Sequence, residues 1–217
     1  MANNLMRNKQ LLIIALGILI IAAGIGLGRY FMPTVESSKL EISGFYISPS
    51  RKVENFDLTN QSGQPFTRAA LKDRWSLLFF GYTFCPDVCP TTLAQLNQLH
   101  NRLASQGLDE DVTVWMISVD PARDTVERLK EYTAFFNPKF GGATGEREEI
   151  DKLAKQFGVY YKIHDPEPGG DYYLVDHSSA VILINPDARL QAVLTETSST
   201  DNLVKDFLAI QSRYDDG

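Results

Sequence analysis

The strongest constraint on the fold is a junction between a buried strand and a helix, which carries both cysteines of the chain. Residues 75–82 (WSLLFFGY) are apolar and aromatic, which predicts a buried strand. From residue 93 to residue 103, leucines recur at helical spacing. Cys85 and Cys89 lie between the two patterns, so we expect them where the strand turns into the helix.

The two cysteines can form a structural disulfide, a redox pair or part of a metal site. Amide groups at a helix N-terminus favour negative charge, so a cysteine there tends to be a thiolate. If the segment is helical from Cys85 on, residues four apart share one helix face, and the sulfurs of Cys85 and Cys89 can point at a single atom. A disulfide here would close a loop of about five residues and stabilise the fold by only about 2 kcal/mol. A purely structural role is therefore disfavoured, and the redox and metal roles stay open.

The N-terminus contains an apolar stretch, residues 11–28, without a charged side chain. This length can cross a bilayer as a helix. Arg7 and Lys9 precede it, so the positive-inside rule predicts a cytoplasmic segment 1–10 and a bacterial-type inner-membrane anchor, with the rest on the periplasmic side. A cleaved signal peptide is the alternative, but its apolar region is usually shorter.

The remaining chain is expected to form a tether and one domain. Residues 29–52 contain prolines and serines without sustained periodicity, which predicts the tether. Residues 53–217 suffice for one domain with its own core. The formal net charge of −6 disfavours nucleic acid as a partner.

Several further segments predict an α/β domain. A strand is expected at residues 111–119, and a helix capped by Asp124 or Thr125 should follow it to about residue 136. Gly141 and Gly142 predict a turn. The remaining elements are a helix at 148–157, antiparallel strands at 180–184 and 190–194, and a helix at 200–213. This order predicts a thioredoxin-like α/β fold with insertions.

Three histidines offer an imidazole to the cysteines. His100 is expected on the exposed face of its helix, and His164 in a loop without a sequence neighbour that could join it. His177 directly precedes a core strand. In a thioredoxin-like fold this position approaches the cysteine turn, so His177 can reach both sulfurs. Isolated histidines more often have structural or surface roles, and the sequence pattern alone leaves its role open.

Three segments together resemble the Sco/SenC family of copper proteins: GYTFCPDVCPTTL from residue 81, SVDPARDT from residue 118 and VDHSS from residue 175. The resemblance implies a membrane-tethered, thioredoxin-like metallochaperone that helps assemble the binuclear copper centre of cytochrome c oxidase. It implies copper, Cu(I) or Cu(II), held by Cys85, Cys89 and His177. The implied partners are the copper-receiving subunit of the oxidase and an upstream copper donor or thiol reductant.

The chemistry of these side chains agrees with the resemblance. Two thiolates and an imidazole suit three-coordinate Cu(I), or Cu(II) with an added ligand, whereas zinc normally takes four ligands. We expect Asp176 to orient His177 through its second ring nitrogen. Asp87 is either a partner contact or a helix cap. Asp120, Arg123 and Asp124 are explained by a turn with a cap and an ion pair.

Two other functions remain open. Cys85 and Cys89 can act as the redox pair of a thiol-disulfide reductase that keeps the cysteines of the oxidase copper site reduced. A peroxidase is a third possibility, without activating residues that the sequence singles out. Thioredoxin-type oxidoreductases have CxxC and a cis-proline, whereas this chain has CxxxC and His177, which favours a metal site.

Overall fold

The computed structural model describes residues 14, 16–24, 27, 40–166 and 172–215. The chain divides into two compact units, Met1–Lys39 and Leu40–Gly217. In the first unit the described residues are helical. Within the described ranges, no helix is both long enough and apolar enough to cross a membrane. The predicted cytoplasmic segment 1–10 and part of the predicted span 11–28 lie outside the described residues.

The second unit is a mixed α/β domain. Its described strands are β1 (Gly44–Lys52), β2 (Asp57–Asn60), β3 (Pro65–Thr67), β4 (Trp75–Gly81), β5 (Val112–Ser118), β6 (Gly141–Thr144), β7 (Tyr161–Ile163), β8 (Val175–His177), β9 (Val181–Asn185) and β10 (Arg189–Leu194). Its α-helices are α1 (Val88–Ala104), α2 (Val126–Phe136), α3 (Arg147–Phe157) and α4 (Thr200–Asp215). Short 3-10 helices occupy Arg68–Leu71 and Asp109–Asp111.

Eight strands form one sheet in the order β1-β10-β9-β4-β5-β6-β2-β3. β4 pairs in parallel with β5 and antiparallel with β9, and every residue of β4 is buried. This position explains its nearly continuous apolar sequence, because a strand covered on both faces has no solvent-facing side. The cysteine turn therefore follows a rigid central strand.

The helix after the cysteines buries the predicted leucine face. The leucines at positions 93, 96, 99 and 103 have no exposed surface. The other predicted helices also form: α2 begins after Thr125, whose side chain caps it, and α3 ends at Gly158 with φ of 69°. Local periodicity and capping were sufficient for these elements.

Two predictions about the sheet were wrong. The predicted tether includes Gly44–Lys52, which is β1 and pairs with β10 at the edge of the sheet. Gly141 and Gly142, predicted as a turn, belong to β6, which pairs in parallel with β5. A Cβ atom at Gly141 would lie 2.3 Å from a ring carbon of Trp115, so this glycine lets the strand pass the indole.

A second, two-stranded sheet carries the remaining site residue. β7 and β8 pair antiparallel, with Tyr161 opposite His177 and Lys162 opposite Asp176. We call the described residues 161–166 and 172–177 the histidine hairpin. The cysteines and His177 thus come from different parts of the fold.

Candidate metal centre

The turn between β4 and α1 presents the two cysteines at different depths. The amide of Cys85 donates to the carbonyl of Tyr82 at 3.2 Å, and Asp87 occupies the N-cap position of α1. The Asp87 side chain makes no capping hydrogen bond, so of the two roles considered for Asp87, a side-chain cap is not formed. Cys89 lies in the first turn of α1 with no exposed surface, whereas Cys85 is half-buried.

Glycine at position 81 makes room for the Cys89 sulfur. A Cβ atom at Gly81 would lie 2.8 Å from Cys89 Sγ and 2.8 Å from a ring carbon of Phe79. Real Cβ atoms do not approach so closely, and both neighbours are buried. Gly81 therefore has a steric role for which the local sequence pattern gives no signal.

His177 meets the cysteines at the end of β8. Its Nε2 lies 3.2 Å from Cys89 Sγ, and the candidate ligand atoms of Cys85, Cys89 and His177 all lie within 4.8 Å of one another. The two cysteines form no disulfide. The structure therefore brings together the three side chains that the resemblance singled out.

The second ring nitrogen of His177 faces a backbone carbonyl. Nδ1 lies 3.1 Å from the carbonyl oxygen of Ser178, so it carries the proton and donates it. Nε2 is the ring nitrogen that faces the sulfurs. The imidazole is also enclosed edge-on by the rings of Phe79 and Tyr82, each with a centroid separation of 5.8 Å. These contacts preorganise the ring for coordination.

The two cysteine sulfurs hold one proton between them, and this proton stays on Cys89. The Cys89 thiol donates a hydrogen bond to Cys85, so the pKa of Cys85 falls to about 3. Burial, together with the hydrogen bond to Cys85, raises the pKa of Cys89. The backbone N–H of Cys89 also points at Cys85 Sγ, at 3.4 Å. The metal-free site therefore holds a Cys85 thiolate beside a Cys89 thiol.

The predictions for the other histidines were wrong or incomplete. His100 is buried, 5% exposed, and its ring packs edge-on against Phe140. His164 Nε2 lies 2.7 Å from Asp176 Oδ2 across the histidine hairpin. Asp176 therefore pairs with His164 and does not orient His177. Successive residues of a strand point to opposite faces, which separates Asp176 from its neighbour.

A buried carboxylate anchors the start of the cysteine turn. Asp124 accepts hydrogen bonds from the Thr83 amide at 3.1 Å and from the hydroxyls of Thr83 and Ser118, both at 2.6 Å. Burial raises the pKa of Asp124. Asp124 was predicted to belong to a turn; in the structure it also holds Thr83, two residues before Cys85.

The arrangement has the chemistry of a soft-metal site. Two sulfurs and one imidazole nitrogen converge from α1, its preceding turn and β8. Cys89 is enclosed and Cys85 is half-buried, so one side of the cluster can be approached by a partner's ligand. Such ligand sets favour thiophilic transition metals over hard cations.

Comparisons with known proteins agree on the family. The family model described as SCO1/SenC matches residues 46–211. The human mitochondrial Protein SCO1 homolog is 40% identical over 132 residues, which are 61% of this chain and 44% of that protein. The match thus spans less than half of the human relative.

Solved structures resemble the domain closely. Copper-bound ScoI from Arabidopsis thaliana is 34% identical with a TM-score of 0.68, over 74% of this chain and 98% of that one. BsSco, described as a member of the Sco family of cytochrome c oxidase assembly proteins, is 25% identical with a TM-score of 0.57, over 78% and 98% of the two chains. The predicted thioredoxin-like α/β architecture is therefore confirmed, and the chain belongs to the SCO1/SenC family.

Proposed function

We propose that this protein binds one copper ion through Cys85, Cys89 and His177 and delivers it to the copper-receiving subunit of a cytochrome c oxidase. Copper is the cargo in this proposal. The observation that carries it is the convergence of two sulfurs and one imidazole nitrogen within 4.8 Å of one another. The copper-bound relative and the oxidase-assembly relative support copper and the oxidase as the metal and the target.

The ligand set suits Cu(I), for which two thiolates and one neutral imidazole give a three-coordinate site. Copper displaces the proton that the sulfurs share, since the metal binds thiolate and not thiol. Cu(II) is accommodated by an added ligand at the approachable side of Cys85. Transfer then proceeds by ligand exchange, in which the acceptor's soft ligands replace those of this site one at a time.

An N-terminal membrane anchor is part of the proposal. The apolar stretch 11–28 and the preceding Arg7 and Lys9 support a periplasmic domain on a bacterial-type inner membrane. Phosphatase fusions after residue 40 and within residues 1–10 test this orientation. We expect phosphatase activity only from the fusion after residue 40. Activity only from the fusion within residues 1–10 would overturn the proposed orientation.

Copper titration of the reduced 217-residue chain, with X-ray absorption at the copper edge, tests the site. We expect one copper per chain with two sulfur ligands and one imidazole. A site with oxygen ligands, or no tight binding, would overturn the proposal. Loss of the nitrogen contribution to the copper-edge X-ray absorption in His177→Ala would identify His177 as the imidazole ligand.

The protonation of the cysteines favours a second candidate, thiol-disulfide reduction. The Cys85 thiolate attacks a disulfide of the acceptor, forming a mixed disulfide and releasing one acceptor thiolate. Cys89, after losing its proton, attacks the Cys85 sulfur, forms the Cys85–Cys89 disulfide and releases the second acceptor thiol. Two electrons pass to the acceptor, and an upstream thiol reductant must restore the pair.

His177 distinguishes the two candidates. Copper binding uses its Nε2 as a ligand, whereas disulfide exchange uses the sulfurs alone. Oxidation of the reduced protein by a model disulfide measures the second activity without copper. Stoichiometric transfer of two electrons, with formation of the Cys85–Cys89 disulfide, would support reduction; failure of the thiols to exchange would exclude it.

A further inference from the structure

Arg123 contacts the segments that precede two of the three proposed ligands. Its guanidinium carbon lies 3.5 Å from the ring centroid of Tyr173, in the histidine hairpin, and 4.8 Å from that of Phe84, which precedes Cys85. Its Nη1 also donates to the carbonyl of Tyr173 at 3.0 Å. One planar cation thus lies against both segments.

Asp120 holds this cation in place. The carboxylate is fully buried and pairs with Arg123 Nε, while the hydroxyl of Tyr173 donates to its other oxygen at 2.7 Å. The Arg123 side chain is 15% exposed. Asp120, Arg123 and Tyr173 therefore form a closed set of contacts, which we call the arginine clamp.

The arginine clamp connects the histidine hairpin to the cysteine turn, a connection that the main sheet does not provide. β7 and β8 form their own two-stranded sheet, so the eight-stranded sheet does not set the position of His177 by strand pairing. The hairpin is instead joined to the cysteine side by side-chain contacts. Besides the clamp, the amide of Val175 donates to the hydroxyl of Tyr82 at 3.3 Å.

We propose that Arg123 is a positioning residue for the metal centre, which holds the histidine hairpin against the cysteine turn so that His177 faces the sulfurs before metal arrives. This inference rests on the proposed copper function. A planar guanidinium stacks on aromatic rings and donates in several directions at once, which an ammonium does not do. Preorganisation of a ligand raises affinity because less ordering remains to be done on binding.

The main test variant is Arg123→Lys, which keeps a positive charge near the buried Asp120 and removes the planar stacking. Removal of the positive charge of Arg123 would leave the buried Asp120 carboxylate without its ion-pair partner and would destabilise the fold. Tyr173→Phe is the second variant, because it keeps the ring and removes its hydrogen bond to Asp120. Arg128→Ala is the control: Arg128 stacks on Phe84 at 4.0 Å and donates to Thr83, which lies outside the hairpin.

Hydrogen exchange of the copper-free 217-residue chain gives the first readout. Arg123→Lys is expected to accelerate exchange of residues 172–180 by about tenfold, since loosening by 1.4 kcal/mol changes the opening equilibrium tenfold. Arg128→Ala should leave these residues unchanged. Unaltered exchange in both clamp variants would overturn the proposal, whether or not copper binds.

A double-mutant cycle of Arg123 and His177, measured by Cu(I) affinity, gives the second readout. Arg123→Lys should lower the Cu(I) affinity about tenfold alone and less than about twofold when His177→Ala is already present. Equal losses in the two backgrounds would show that Arg123 does not act through His177 and would overturn the proposal. Should His177→Ala alone leave Cu(I) affinity unchanged, the proposed function fails, and the exchange experiment still decides the role of the clamp.

Discussion

His177 Nε2 lies 3.2 Å from Cys89 Sγ, although 88 positions separate the two residues in the chain. Cys89 belongs to a helix that packs on the central strand, whereas His177 ends a strand of a separate two-stranded sheet. The contact therefore depends on how the hairpin lies against the main domain. Its chemistry joins a soft sulfur ligand to an imidazole whose other nitrogen is already hydrogen-bonded to Ser178.

Substitution of the histidine should separate the two candidate functions. We expect His177→Ala to lower copper affinity by about 100-fold, at the upper end of the losses seen when groups around metal sites are removed. The rate of disulfide reduction should stay nearly unchanged. Competition titration with a Cu(I) chelator and a thiol-exchange assay measure the two effects. His164→Ala is the matched control, and a loss as large as that of His177→Ala would contradict the ligand assignment.

Gly81→Ala should displace the Cys89 side chain and so weaken both the fold and copper binding. The added methyl group would overlap Cys89 Sγ and the Phe79 ring. We expect a loss of about 1–3 kcal/mol in the free energy of unfolding, measured in urea, with weaker copper binding. The control is Gly107→Ala, where φ is +74° and no atom lies within 4 Å of the new Cβ. It should reduce stability through backbone strain without a change in copper affinity; equal copper loss in both variants would argue against a local effect.

Cys85 should be the reactive thiol at every pH near neutrality. Its pKa of about 3 and its half-buried position predict an alkylation rate that is flat between about pH 5 and pH 8. Cys89, fully buried and protonated, should stay unmodified until the protein unfolds. Timed alkylation followed by mass spectrometry assigns each site. A Cys85 rate that rises tenfold per pH unit across this range would refute the lowered pKa.

His100 should make folding stability depend on pH. Burial lowers the pKa of His100, so the unfolded chain takes up the proton first as the pH falls. Stability is therefore fully present above the unfolded pKa of about 6.5 and is lost below it, by up to about 1.4 kcal/mol per pH unit. Urea denaturation of the wild type and of His100→Leu between about pH 8 and pH 5 measures the difference. Parallel curves for the two proteins would contradict this origin.

Local sequence patterns were sufficient to predict elements whose hydrophobic residues follow the burial of a strand or the period of a helix. β4 is almost entirely apolar because both its faces are covered, and the leucines of α1 recur at helical spacing. The same periodicity could have placed His100 correctly, since it lies four residues after Leu96 and seven after Leu93 on the buried face. The prediction was wrong because polar residues flank His100 in the sequence, although they lie on other faces of the helix than the buried leucines.

Local patterns failed where a contact distant in sequence determines the structure. β1 contains one proline and two serines and becomes a strand by pairing with β10, and β6 begins with Gly141, which the Trp115 ring requires. The partner of Asp176 is another case, because strand alternation turns this carboxylate away from His177 and towards His164.

The sequence by itself determined that two cysteines stand where a buried strand meets a helix, since hydrophobic periodicity and the helix start are properties of neighbouring residues. Only the tertiary structure decided that His177 reaches them, that Gly81 leaves space for Cys89, and that Arg123 joins the hairpin to the cysteine turn. These relations depend on the packing of segments far apart in the chain, and packing depends on shape and burial in three dimensions.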